Sequence, residues 1–82
     1  LEEEIGDKYG ISLCFKNIAN LKIRQKKWNE AQQNLQKSLE IATEIEAIDL
    51  NKDIYLAFAE FFSRRNDFQN AFIYYKKFSD LK

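Results

Sequence analysis

Apolar residues recur at three- and four-residue steps over four stretches of the chain, the spacing that lines one face of an α-helix. In the first stretch Ile11, Cys14, Phe15, Ile18 and Leu21 form one stripe, and Lys26-Lys27 end it. The second carries Trp28, Ala31, Leu35, Ser38, Leu39, Ala42 and Ile45, with Asn29 and Glu30 suited to its first turn. The third carries Tyr55, Phe58, Ala59 and Phe62, with Asp49, Asn51 or Asp53 available as N-cap. Asn66-Asp67 reads as a turn, and Phe68, Ala71, Tyr75 and Phe78 follow on a fourth helix. Turns are expected near 26–28, 46–50 and 65–67. Connections this short predict antiparallel neighbours.

The pattern repeats. Displaced by 40 residues against itself, the chain superposes Phe15 on Tyr55, Ile18 on Phe58, Ala19 on Ala59, Trp28 on Phe68 and Ala31 on Ala71. Leu35 falls on Tyr75, Lys37 on Lys77, Leu1 on Ile41, Glu4 on Glu44 and Ile5 on Ile45. Size and polarity are preserved in order, so the repeat is a structural unit of two helices. The expected organisation is one all-α domain: a helix pair over 7–46, a second over 47–82, and residues 1–6 as the tail of an earlier pair's second helix. A chain that begins at Leu1, inside a helical pattern, reads as a piece of something longer.

Composition narrows the class. The chain has 82 residues, 45% hydrophobic and 32% charged, which fits one small globular domain. It has no Pro and only Gly6 and Gly10, too few turn-formers for a many-turned β fold. Thirteen basic and thirteen acidic residues cancel, which argues against a general nucleic-acid or membrane-surface binder. No apolar run is long enough to span a bilayer. Cys14 stands alone and cannot form an internal disulfide, which leaves cytoplasm and periplasm both open and tips the balance toward the cytoplasm.

Catalytic chemistry finds little to work with. No His removes the commonest general base, the Ser-His and Cys-His dyads and His metal sites. One Cys makes no zinc cluster, and there is no Gly-rich phosphate loop. The carboxylate pairs Glu40/Glu44 and Asp49/Asp53 have the spacing to flank a glycosidic bond or a divalent cation, but read better as a solvated acidic face. Cys14, beside Phe15 and Ile18 on an apolar stripe, is expected to be a buried small hydrophobe rather than a reactive thiol. No cofactor, metal or enzymatic activity is expected.

Two motifs point to a family. The tetratricopeptide pattern is W-x2-L-G-x2-Y, then A-x3-F, then P. The first unit reads Phe15-x2-Ile18-Ala19-x2-Lys22 and Ala31-x3-Leu35; the second reads Tyr55-x2-Phe58-Ala59-x2-Phe62 and Ala71-x3-Tyr75. Over essentially its whole length the chain resembles a tetratricopeptide array, in a longer-helix form where 39–45 extend the second helix. It departs from the pattern at Lys22, at Lys26 and Asn66 where Gly is usual, at Phe78 where a small residue is usual, and in lacking the final Pro. The resemblance implies a right-handed helical-hairpin solenoid of about two repeats, a non-catalytic protein-interaction scaffold. Longer-helix arrays of this kind are found in bacterial sensor and regulatory proteins, so a role in signal transduction is implied with it.

By the same resemblance the first helix of each unit lines a concave groove that takes a peptide or helix. The matching positions are Leu13, Lys16, Asn20, Ile23 and Arg24, then Asp53, Leu56, Glu60, Ser63 and Arg64. In this register Leu56 faces outward and Phe58 inward. Lys16 and Asn20 match the spacing with which some members hold a terminal carboxylate, but Ala57 stands where those members place a second Asn, and Asp53 and Glu60 would repel the anion. Lys16, Asn20, Arg24 and Lys27 also form a polar stripe on one helix; without interleaved aromatics it suits an acidic neighbour, such as the helix bearing Glu40, Glu44 and Glu46, better than RNA. Nine of the twelve aromatics lie between residues 55 and 78, more than one helix pair can hide. Phe72, Tyr74, Phe78 and Leu81 are therefore expected to pack on a second copy or on a following segment, which makes a homo-oligomer the alternative to a peptide partner.

Overall fold

The computed structural model describes residues 2–81, with side chains from residue 6 onward. Four helices follow in order: α1 (Glu2–Arg24), α2 (Trp28–Glu44), α3 (Ile48–Arg64) and α4 (Phe68–Asp80). No strand occurs among the described residues. The helices form two antiparallel hairpins, α1–α2 and α3–α4, and α3 lies against both α2 and α1. The result is a slab of 41 × 28 × 13 Å. The two matched hairpins stack as the 40-residue period expects.

Three turns of one design connect the helices. At the end of α1, Lys27 N–H donates to the Lys22 carbonyl and Lys26 N–H to the Ile23 carbonyl. Ala47 and Glu46 repeat the pair onto Ala42 and Thr43, and Asp67 and Asn66 onto Phe62 and Ser63. This is the Schellman arrangement, which needs a left-handed residue at its centre. Lys26, Glu46 and Asn66 supply it, with φ of 61°, 56° and 62°. The residue after each then starts the next helix: the carbonyls of Lys27, Ala47 and Asp67 accept from Ala31, Asn51 and Ala71. The end of one helix therefore fixes the N-cap of the next. For this reason Ala47, with no side-chain cap, takes the position expected of Asp49, Asn51 or Asp53, which all lie inside α3. Only Asp67 caps with its side chain among these three, accepting from Asn70 N–H at 3.3 Å.

The core is continuous across the hairpins. Ala19, Ile23, Ala31, Leu35, Ala42, Leu50, Ile54, Ala57, Phe58 and Phe61 are buried together. Within the first hairpin Ser12 and Ser38 are also buried, and each hydroxyl donates to the other's carbonyl, at 2.7 and 2.8 Å. Two helices bonded this closely leave no orphaned polar group at the crossing. Lys8–Glu44 (2.8 Å) and Lys22–Glu30 (3.6 Å) tie the two ends of α1 to α2. In the second hairpin aromatic packing replaces the serines: Tyr74 stacks on Phe58 at 4.6 Å and on Phe62 at 5.5 Å. Phe61 meets Trp28 edge-on at 6.0 Å across the hairpin boundary.

The apolar stripe on α1 is a correction to the sequence reading. Ile11, Cys14, Ile18 and Leu21 face solvent, and α1 packs inward through Ser12, Ala19 and Ile23. Cys14 is accordingly exposed, not the buried hydrophobe expected of it. The cause is topological. Helix α1 carries apolar residues on two faces, as α3 does, but α3 has α2 on one side and α4 on the other whereas α1 packs on one side only. Residues 2–6 lie on the same unbroken helix as 7–24, and α1 runs straight through Gly6 and Gly10. The side chains of Leu1, Glu4 and Ile5, part of the self-match, lie outside the described residues.

Candidate functional site

The polar groove sits where α3 crosses α1. Ala57 is small and almost fully buried there, which lets the two helices approach. Lys16, Asn20, Asp53, Leu56, Ala57 and Glu60 surround a depression of about 300 Å³. Lys16 and Asn20 are one turn apart on α1; Asp53, Leu56, Ala57 and Glu60 lie along one side of α3. The Lys16 side chain is only 16% exposed, and its ammonium stands 4.0 Å from the Asp53 carboxylate. At the rim Arg64 Nε donates to Glu60 Oε2 at 3.1 Å. Within the depression one cation faces two carboxylates. A ligand carboxylate would have to displace Asp53 from Lys16, whereas a basic or amide-bearing side chain meets ready acceptors.

Five of the ten candidate positions thus meet in one place. Arg24 is exposed at the end of α1, outside the depression, and Leu13 is half-buried against the core. Ser63 lines a second, more apolar depression with Leu56, Ala59, Glu60, Ala71, Phe72 and Tyr75. Ile23 is the exception: its exposure is 0%, so it belongs to the core and not to a groove surface. It lies one turn beyond Ala19, on the side of α1 that packs inward, and Phe61 shares its core. The register otherwise stands, with Leu56 half-buried and Phe58 buried.

On α4, Phe72 is 70% exposed and Phe68 63%. Tyr74 turns inward onto Phe58 and Phe62, so its ring is part of the α3–α4 packing. Phe78 and Leu81 are half-buried, and Phe78 meets Tyr75 edge-on at 5.8 Å. Tyr75, 58% exposed, was not among the expected site residues, and Ala57 was expected only as a departure from the carboxylate-holding pattern. For Tyr75 the signal was its match to Leu35 in the repeat; for Ala57 it was the position where some members of the family place an Asn in the groove.

The fold and this groove define a class: stacked antiparallel helix pairs that offer an extended surface. A family model, tetratricopeptide repeat, matches residues 11–81, and the chain belongs to that family. Members generally mediate protein–protein interactions and are generally non-catalytic scaffolds. No curated protein and no solved structure matches the chain. Among the described residues no helix is long and apolar enough to cross a membrane. No group of three or more Cys, Asp or Glu among them is placed to hold a metal ion.

Proposed function

We propose that the chain is a non-catalytic scaffold that holds a peptide or helix of a protein partner in the α1–α3 groove. The convergence of Lys16, Asn20, Asp53, Leu56 and Glu60 on one depression carries this reading. Its charges favour a segment with basic or amide side chains flanked by an apolar residue that covers Leu56. The 40-residue unit is what supports placing such a scaffold in a bacterial sensor or regulatory protein. The test is a displayed library of random peptides selected on the wild-type chain. Selected peptides are expected to be enriched in Lys, Arg, Asn or Gln and to lose at least tenfold in affinity on Asp53→Lys or Glu60→Lys. Peptides that ignore both substitutions overturn the groove reading.

A second reading rests on a separate observation. Phe68, Phe72, Ile73 and Tyr75 leave α4 with an exposed apolar face, and faces of that kind are interaction surfaces. Under this reading the chain self-associates through α4 and forms homo-oligomers.

A further inference from the structure

The depression lined by Leu56, Ala59, Ser63, Ala71, Phe72 and Tyr75 has a counterpart inside the chain. Forty residues earlier stand Lys16, Ala19, Ile23, Ala31, Gln32 and Leu35. Of these Ala19, Ile23, Ala31 and Leu35 are fully buried. They share a core with α3, through its stripe Leu50, Ile54, Ala57 and Phe61. The first hairpin thus shows what occupies such a face: a helix bearing that stripe. The same stripe on α1, again 40 residues earlier, is Gly10, Cys14, Asn17 and Leu21, and it faces outward. We infer that a second copy of this chain docks head-to-tail, its α1 on the α3–α4 face as α3 sits on α1–α2. The inference rests on the self-association reading and names the occupant of the α4 face.

The two surfaces complement each other position by position. The Trp28–Phe61 contact, with α2 and α3 antiparallel, brings Leu35 abreast of Ile54 in the shared core. Inside the chain the incoming helix brings Leu50 and Ile54 into the core that Leu35 shares. Between copies the bulk changes sides: Cys14 comes in against Tyr75, with Gly10 one turn before it. A side chain added at Gly10 would meet nothing within 4 Å in one copy, so the space beside it is open to an aromatic ring. The Lys16–Asp53 ion pair becomes Leu56 against Leu13, an apolar pair in place of a charged one. Trp28–Phe61 becomes Phe68 against Leu21, both exposed in the single chain. Asn17 takes the place of Ala57, which is almost fully buried beside Lys16 and Asn20, so its amide comes in beside Leu56 and Glu60 of the facing copy. Because the two surfaces differ, the contact is heterologous and open-ended: each added copy presents the same free face again.

The experiment measures mass by light scattering on the intact chain at rising concentration, for wild type, Leu21→Glu, Tyr75→Glu and an equimolar mixture of the two variants. Both altered positions are exposed, and circular dichroism checks that each variant keeps its helix content. Cys14→Glu and Phe72→Glu repeat the test at neighbouring exposed positions if either variant fails to fold. Wild type should grow beyond the 9.8 kDa monomer with concentration, each variant alone should be monomeric, and the mixture should stop at a one-to-one dimer. Each variant retains one intact face, so only a head-to-tail contact gives that result. If Leu21→Glu still associates while Tyr75→Glu does not, α4 pairs with itself; the self-association reading then stands and the head-to-tail inference falls. A mixture that remains monomeric while wild type associates overturns the inference as well. A wild-type monomer at millimolar concentration overturns both.

Discussion

Lys26, Glu46 and Asn66 are the residues at which the backbone is least comfortable. A left-handed backbone costs an ordinary L-residue roughly 1–2 kcal/mol, and Asn less than most. Asn66 suits its place; Lys26 and Glu46 hold theirs because the two Schellman hydrogen bonds and the helix that begins at the next residue but one determine the conformation from both sides. Glu46 is exposed. Glu46→Gly is therefore expected to stabilise the fold by about 1 kcal/mol, since glycine adopts a left-handed backbone freely. The measurement is the urea midpoint, which should rise with no change in the slope of the transition. A midpoint unchanged or lowered would mean that the turn carries no such strain. Ser12 and Ser38 make the opposite kind of statement: polar residues inside a core, each satisfied by the other's backbone.

At the level of helices the decisive piece is α3, which packs against each of the other three. Phe61 is fully buried where α3 meets α2, edge-on to both Trp28 and Phe62, with the Arg65 guanidinium 5.6 Å from its ring centre. Phe61→Ala should cost about 3–5 kcal/mol, the range for emptying a buried aromatic site. In a domain this small that is a large share of the total stability. Trp28 reports the event directly, because its fluorescence should shift red as the ring loses its cover. Phe72→Ala, on an exposed face, is the control and should change stability by less than about 0.5 kcal/mol. The helices and turns were legible in the sequence because the 40-residue match fixes both period and register. The inward face of α1 was not. Ile11, Cys14, Ile18 and Leu21 make a clean stripe, but Ala19 and Ile23 make another beside it, and spacing alone does not say which side a partner helix covers. Ile23 was expected in the groove from the family resemblance, and the packing of α1 turns it into the core instead. The groove itself was half legible: the repeat brought Lys16 and Asn20 to face α3, but that α3 approaches through Ala57 is a matter of packing.

In the molecule as a whole, burial is concentrated at the middle of the slab. The helices α2 and α3 contribute most of the buried residues, α1 contributes Ser12, Ala19 and Ile23, and α4 none. In stacked repeats each unit is held by its neighbours, so stability should fall away from the shared boundary. Amide hydrogen exchange is expected to be slowest around Leu35, Ala42, Ile54 and Phe61, and fastest in the first turns of α1 and the last turn of α4. Uniform protection along all four helices would contradict this and indicate a single cooperative block. The turns carry a different consequence. They recur every 20 residues, at Lys26, Glu46 and Asn66, while the side chains recur every 40. A cut after Lys27 and another after Asp67 both fall at the start of a helix, immediately before Trp28 and Phe68. The segment 28–67 is thus a cassette with interchangeable ends: copied in tandem it joins an N-capping Asp67 to Trp28 and keeps every helix direction. A copy of half that length would reverse the alternation and set a first-helix surface where a second-helix surface belongs. Growth of such an array by gene duplication is therefore quantised in pairs of helices, and the geometry of one backbone turn sets the size of the step.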